Sequence, residues 1–197
     1  LDVFARMLGE HDFSVEHPHV GVEIEFNLID ESGEPAMKNA EALDVITDGD
    51  FQTELGLFNI EINVPPSRAA GDGLTELEGR LRADLNQAQE KAATVGAKLV
   101  MIGILPTLRD EHFSAESLSP NPRYHLLSDQ ILEARGEDIE IVIDGVDRLD
   151  TTADTIIPEA ACTSTQLHLQ VEPEDFASMW NAAQAIAGVP VAIGANS

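Results

Sequence analysis

Lysine is almost missing from this chain, which has only Lys38, Lys91 and Lys98, and cysteine occurs once, at Cys162. A single cysteine excludes an internal disulfide and fits a reducing cytoplasm, the expected location. No uninterrupted apolar run approaches the roughly 18 residues that cross a bilayer. No basic segment followed by an apolar one opens the chain at Leu1, so no secretory signal is read there. Basic residues of either kind number 11 against 36 acidic ones, a net charge of -25. A field of that sign disfavours nucleic acid and anionic membrane surfaces as partners. No GxxxxGK[ST] or GxGxxG follows a strand, which removes the P-loop and the Rossmann fold.

What is present is a globular composition. Hydrophobic residues make up 43% of 197, and the mean hydropathy is -0.08. That length supports a sizeable core, and residues 1–197 are expected to form a single domain. The acids are spread along the chain rather than gathered in a tail, so they do not describe a disordered arm. Such a surface suits a salt-adapted host or a protein that gathers cations.

Local patterns divide the chain into strands and helices. Residues 1–17 read as a short helical or irregular lead-in. VGVEIEFNLID (20–30) alternates Val20, Val22, Ile24, Phe26 and Leu28 with Gly21, Glu23, Glu25 and Asn27, the period of a half-buried strand. ESGEP breaks it. A second alternating run sets Phe58, Ile60, Ile62 and Val64 against Asn59, Glu61 and Asn63, and Pro65 and Pro66 are expected to stop it. From about Asp72 to Val95, Leu74, Leu77, Leu81, Leu85, Ala88, Ala92 and Val95 form one helical stripe, with Gly96 as its C-terminal cap. KLVMIGILPT (98–107) reads as a buried strand. Pro122–Arg135 reads as a helix ended by Gly136, and 139–145 as a strand. STQLHLQVEP (164–173) is a third alternating strand, with Thr165, Leu167, Leu169 and Val171 opposite Gln166, His168 and Gln170. A last helix covers about Glu174 to Ala187, with Phe176, Trp180, Ala183 and Ile186 as its apolar side. Strands with one polar face favour an α+β fold with a mainly antiparallel sheet.

The three alternating strands share one design. Their polar faces hold Glu23, Glu25, Asn27, Asn59, Glu61, Asn63, Gln166, His168 and Gln170, without a lysine or arginine. Glu23 and Glu25 project from one face at a spacing of about 6.6 Å. On neighbouring strands such carboxylates repel one another unless a cation sits between them. Oxygen donors with one imidazole suit Mg²⁺ or Mn²⁺ better than structural zinc. The plainer alternative is a sheet face that is merely wet. Glu54, seven residues before Glu61, could close over the same place from a loop, although an isolated loop glutamate is ordinarily only solvated.

GVEIEF, ELGLFNIEINVPP, IGILPTL, RYHLL and CTSTQLHLQV, followed by NAAQAIAG and ANS, resemble the glutamate–cysteine ligase family of the group-2 bacterial type. That family belongs to the glutamine synthetase-like carboxylate–amine ligases, and the likeness runs from about Val20 to Ser197. It implies a curved, mainly antiparallel sheet with helices on its outer side and Mg²⁺ (or Mn²⁺) on its inner face. ATP would phosphorylate the γ-carboxylate of glutamate, and the amine of cysteine would then displace phosphate. Carried over, Glu25, Glu54 and Glu61 match ligands of one metal. Glu23 and His168 match ligands of a second, which bridges the ATP phosphates. A further glutamate ligand and a phosphate-contacting arginine are expected beyond ANS. The chain therefore reads as the amino-terminal half of a larger ligase domain, binding metal weakly and turning over poorly alone.

Other residues carry weaker signals. Arg123, beside Tyr124, is a candidate for a substrate carboxylate or phosphate, or simply a helix-surface arginine. Cys162 lies six residues before His168, but a buried small hydrophobe is the favoured reading over a nucleophile. His11, His17, His19, His112 and His125 have no partner in spacing. The expected partners are small molecules: glutamate, ATP, and cysteine or another amine, with a homo-oligomer also allowed. The alternatives are the same fold acting on a different amine, or a non-catalytic acidic domain that binds cations or a partner protein.

Overall fold

The computed structural model describes residues 1–13 and 17–194; the ANS segment falls outside them. In chain order the elements are α1 (Asp2–Gly9), β1 (His19–Ile29), α2 (Asn39–Ile46), β2 (Phe51–Thr53), β3 (Asn59–Arg68), α3 (Gly73–Ala93) and β4 (Lys98–Val100). They continue as α4 (Pro122–Arg135), β5 (Ile139–Asp144), β6 (Arg148–Ala153), β7 (Thr165–Leu169), α5 (Phe176–Ile186) and α6 (Gly188–Ile193). The mixture is α+β, and every strand pairing is antiparallel.

The main sheet runs β2-β3-β1-β4, and β7 joins β1 on the edge that β4 occupies further along. The alternation in β1 and β3 does what it should. Val22, Ile24, Phe26, Leu28, Ile60, Ile62 and Val64 are buried together against Ala42 and Ile46 of α2 and Leu77, Ala88 and Ala92 of α3. Helices therefore cover one face, and the polar residues are left on the other. Gly96, at φ +73°, turns the chain out of α3.

Several details differ from the sequence expectations. Pro65 and Pro66 do not end β3, which continues to Arg68. The register shifts between Val20 and Val22, so both prolines fall in an irregularity where no ladder N–H is required. The expected strand 98–107 shrinks to β4, because Ile24 of β1 already pairs with Thr165 of β7. Past β4, Met101 and Ile104 are exposed, and the carbonyls of Ile102 and Gly103 accept hydrogen bonds from Thr163. Phe58 does not extend the β3 stripe. It lies in a second cluster with Leu118, Ile156, Ile157 and Ala160. Neither α2 nor β6 was anticipated. Among the described residues β6 pairs only with β5, as a separate hairpin.

The C-terminal part presents apolar side chains to solvent. Leu167 is 75% exposed and Leu169 51%, and Phe176, Trp180 and Ile186 of the last predicted helix are exposed as well. β7 carries its apolar residues on the covered face of the sheet, but neither α2 nor α3 packs on this strand. Pro173–Ile193 is also long and apolar enough to cross a membrane by length and composition, with none of it buried. This corrects the expectation that no stretch approaches membrane-crossing length: Asn181, Gln184, Gly188 and Pro190 punctuate the segment, yet its mean composition remains apolar.

Candidate functional site

The register of the sheet decides which polar residues meet. Glu25 stands opposite Glu61, Glu23 opposite Asn63, and Asn27 opposite Asn59 across β1 and β3. On the other edge of β1, Glu23 stands opposite Gln166 and Gly21 opposite His168. The three polar faces are thus one surface, divided in two.

Its inner half is sealed. Asn27 and Asn59 are buried; the Asn59 amide donates to Asn27 Oδ1 at 3.1 Å, and Asn27 Nδ2 donates to the Ile102 carbonyl at 3.0 Å. Asn27 thereby ties Ile102 to the sheet, with Asn59 holding Asn27 from the neighbouring strand.

The outer half is open and acidic. Gln166 Nε2 donates to Glu23 at 3.0 Å, and His168 Nε2 lies 3.5 Å from the other oxygen of Glu23. Both oxygens of Glu25 accept from Ser164, one from the backbone N–H at 3.0 Å and one from the hydroxyl at 2.9 Å. Asn63 Nδ2 donates to Glu61 at 3.0 Å. Among the described residues, none of Glu23, Glu25, Glu54 and Glu61 has a lysine or arginine within ion-pair distance.

Glu54 reaches this surface from the loop between β2 and β3. Burial raises its carboxyl above the usual range, and the charges of Glu25 and Glu23 add to that, while the Leu55 N–H and Arg123 oppose it. Glu61 is pushed up to about 7, first by burial and then by the charges of Glu23 and Glu54, with Asn63 opposing. On β3, Glu61 lies between Asn59 and Asn63 and opposite Glu25, and the charges of Glu23 and Glu54 both act on it.

Two clefts open on this surface. One, of about 530 Å³, is lined by Glu23, Asn63, Pro66, His168 and Gln170. The other, of about 330 Å³, is lined by Glu25, Glu54, Asn59, Glu159, Cys162 and Ser164. Glu23 and His168 therefore share one cleft, and Glu25 and Glu54 the other. Glu159 was missed from the sequence, because it sits in a short 3-10 turn (Ile157–Ala161) with no periodic pattern to expose it.

Cys162 is exposed rather than buried. Such desolvation as it has, with Glu159 and Glu25 nearby, raises its thiol. That is the wrong direction for a nucleophile. Arg123 is an exposed residue in the first turn of α4, whose N-cap Asn121 accepts from the Arg123 N–H at 3.0 Å. Its charge is felt by Glu54 and by Tyr124, which places it at the edge of the acidic surface.

Among the described residues, no group of three or more His, Cys, Asp or Glu is gathered closely enough to hold an ion. The donor chemistry nevertheless fits a hard divalent cation. The donors are oxygens with a single imidazole, and a cation would relieve the repulsion that raises Glu61 and Glu54. The amide and hydroxyl donors from Asn63, Ser164 and Gln166 would have to yield the carboxylate oxygens.

An α+β fold with carboxylates on the open face of its sheet is thus defined. The model of glutamate–cysteine ligase family 2 matches residues 19–197, and the chain belongs to that family. Two proteins named "Putative glutamate--cysteine ligase 2-2", from Mycobacterium sp. strains KMS and JLS, are each 31% identical over 117 residues. The match covers 58% of this chain and 30% of each relative, so the chain spans under a third of their length by this measure. No solved structure matches the chain.

Proposed function

We propose that the protein takes part in an ATP- and Mg²⁺-dependent ligation of the γ-carboxylate of glutamate to the amine of cysteine. The carrying observation is the acidic surface centred on Glu61, in a chain belonging to this family. A γ-carboxylate oxygen attacks the terminal phosphorus of ATP, and ADP leaves. The deprotonated amine then attacks the acyl carbon, and phosphate leaves. A divalent cation held by these carboxylates would supply charge neutralisation of the phosphoryl oxygens.

The chain's own residues supply the donors. Glu25 and Glu54 face one cleft, Glu23 and His168 the other, and Glu61 stands opposite Glu25. Ser164 holds Glu25 in a fixed rotamer through two hydrogen bonds, and Gln166 does the same for Glu23 through one. Arg123, whose charge acts on Glu54 and Tyr124, would offer that charge to a substrate carboxylate or phosphate. No side chain is required as a nucleophile, consistent with the raised thiol of Cys162.

The test is release of ADP and phosphate by protein expressed from its full reading frame, given glutamate, ATP and a panel of amines. Release that requires glutamate and is fastest with cysteine supports the reading. Release indifferent to cysteine removes cysteine as the acceptor, and no release with any amine removes the ligase.

A further inference from the structure

The loop that carries Glu54 is held in an unusual way. From Thr53, the last residue of β2, through Leu57, five consecutive carbonyls are each claimed by a donor from elsewhere in the chain, and Gly56 forms a single antiparallel bridge with Leu118. Tyr124 Oη of α4 donates to Thr53 at 2.7 Å. The Ser119 hydroxyl donates to Glu54, and the Ser119 N–H to Leu55 at 2.7 Å. Asn39 Nδ2 donates to Gly56 at 3.1 Å, and the Asn39 N–H to Leu57 at 3.0 Å. Asn39 Nδ2 also donates to Ser119 Oγ at 2.7 Å, which links the two anchors.

Both anchors are buried, at 0% exposure. Among the described residues Asn39 Oδ1 has no hydrogen-bond partner, an arrangement that lowers the stability of a fold. The amide is oriented by its neighbours, because the Gly56 carbonyl can only accept. Asn39 thus leaves its own oxygen unpaired in order to hold Gly56 and Ser119 together. Gly56 is buried and Glu54, Leu55 and Leu57 are half-buried, so these carbonyls need donors from the protein, and the donors present converge on the peptide that carries the acid.

We propose that Asn39 and Ser119 are positioning residues that fix Glu54 over the acidic surface, with Tyr124 as a third anchor. The proposal rests on Glu54 being a metal ligand. The Ser119 hydroxyl fixes the peptide of Glu54 itself, so the position of its Cα, and with it the reach of its carboxylate, follows from the Asn39–Ser119 pair. Groups that orient a ligand alter metal affinity by about 10- to 100-fold when removed.

The experiment is Mn²⁺ titration of the full-reading-frame protein and its Ser119→Ala, Glu54→Gln and doubly substituted variants, with melting curves beside each. Expected are a loss of Mn²⁺ affinity of about tenfold in Ser119→Ala, partial recovery in Ser119→Thr, and no further loss when Ser119→Ala is added to Glu54→Gln. Equal losses in both backgrounds would mean that Ser119 acts on the fold at large, and would overturn the proposal. Unchanged affinity in Ser119→Ala overturns it too. If Glu54→Gln binds Mn²⁺ as tightly as the parent, Glu54 is not a ligand and the underlying reading fails with it. Should Ser119→Ala not fold, Tyr124→Phe, which removes only the bond to Thr53, undergoes the same comparison.

Discussion

Glu25 stands directly across from Glu61 in the register of β1 and β3, an acid paired with an acid on the polar face near the centre of the sheet. Like charges directly opposite destabilise a strand pair. The strand pair nevertheless forms, because its other face buries Ile24 against Ile62 and Phe26 against Ile60.

The first prediction concerns Glu61. Its carboxyl is raised to about 7 by burial and the charges around it. A raised carboxyl holds its proton more tightly when folded than when unfolded. Between an unfolded value of about 4.3 and about 7, the unfolded state therefore binds fewer protons, and stability falls as pH rises through this window. Glu61→Gln removes that loss. In excess EDTA the variant should melt higher than the parent at pH 8 and about level with it at pH 4.5. A variant less stable at pH 8 would show that the carboxylate is not under strain. Turnover should be abolished, and near-normal activity at limiting Mg²⁺ would show that Glu61 is not a ligand.

Gly56 is the second. A Cβ there would lie 2.5 Å from Asn59 Oδ1, 3.1 Å from Phe58 and 3.2 Å from Ala160. Neither asparagine nor alanine can retreat, as Asn59 is held by Asn27 and Ala160 is packed in the second cluster. Gly56→Ala should cost about 1–3 kcal/mol in denaturant melts. A cost under about 0.5 kcal/mol, the range of surface substitutions, would mean that the loop yields easily.

Much of this was legible, and the reason is periodicity. The two-residue alternation in β1 and β3 sorts Glu23, Glu25 and Glu61 onto one face, and a single register then makes them neighbours. Composition could not reveal the sealing of Asn27 and Asn59, since Asn27 bonds to Ile102, far off in sequence. Ser119 was invisible for the same reason: its bond to the Glu54 carbonyl spans 65 positions. The 98–107 run misled because apolar character does not say which edge of β1 is free. Leu167 and Leu169 show the converse, a correct alternation whose apolar side meets solvent.

Cys162 gives the third prediction. It is exposed, but its thiol is raised above the ordinary range. Alkylation by iodoacetamide should be slow at pH 7.5 and accelerate above pH 9, where the thiolate forms. Cys162→Ala should leave ADP release unchanged. Rapid modification at neutral pH, or loss of activity in the alanine variant, would return the thiol to consideration as a nucleophile.

The last prediction follows from the charge. Arg80 pairs with Asp50 at 2.7 Å, Arg109 with Glu34 at 2.7 Å and Arg82 with Glu78 at 2.7 Å, but a net charge of -25 leaves most acids without a basic partner. Their mutual repulsion is long-ranged at low ionic strength, where the Debye length is about 10 Å at 0.1 M, and it collapses to about 3 Å at 1 M. Sodium or potassium chloride should therefore raise the melting temperature steadily up to about 1 M. The scan belongs in excess EDTA, so that trace divalent cations at Glu23, Glu25, Glu54 and Glu61 do not contribute. Glu61→Gln provides the internal control. If bulk screening is the cause, the variant should show nearly the same salt response, because one acid in 36 has been removed. If repulsion at the site dominates, the variant's response should be clearly smaller. A melting temperature that is flat or falling with salt would mean that the surface acids are not repelling one another, and the salt-adapted reading of the composition would be withdrawn.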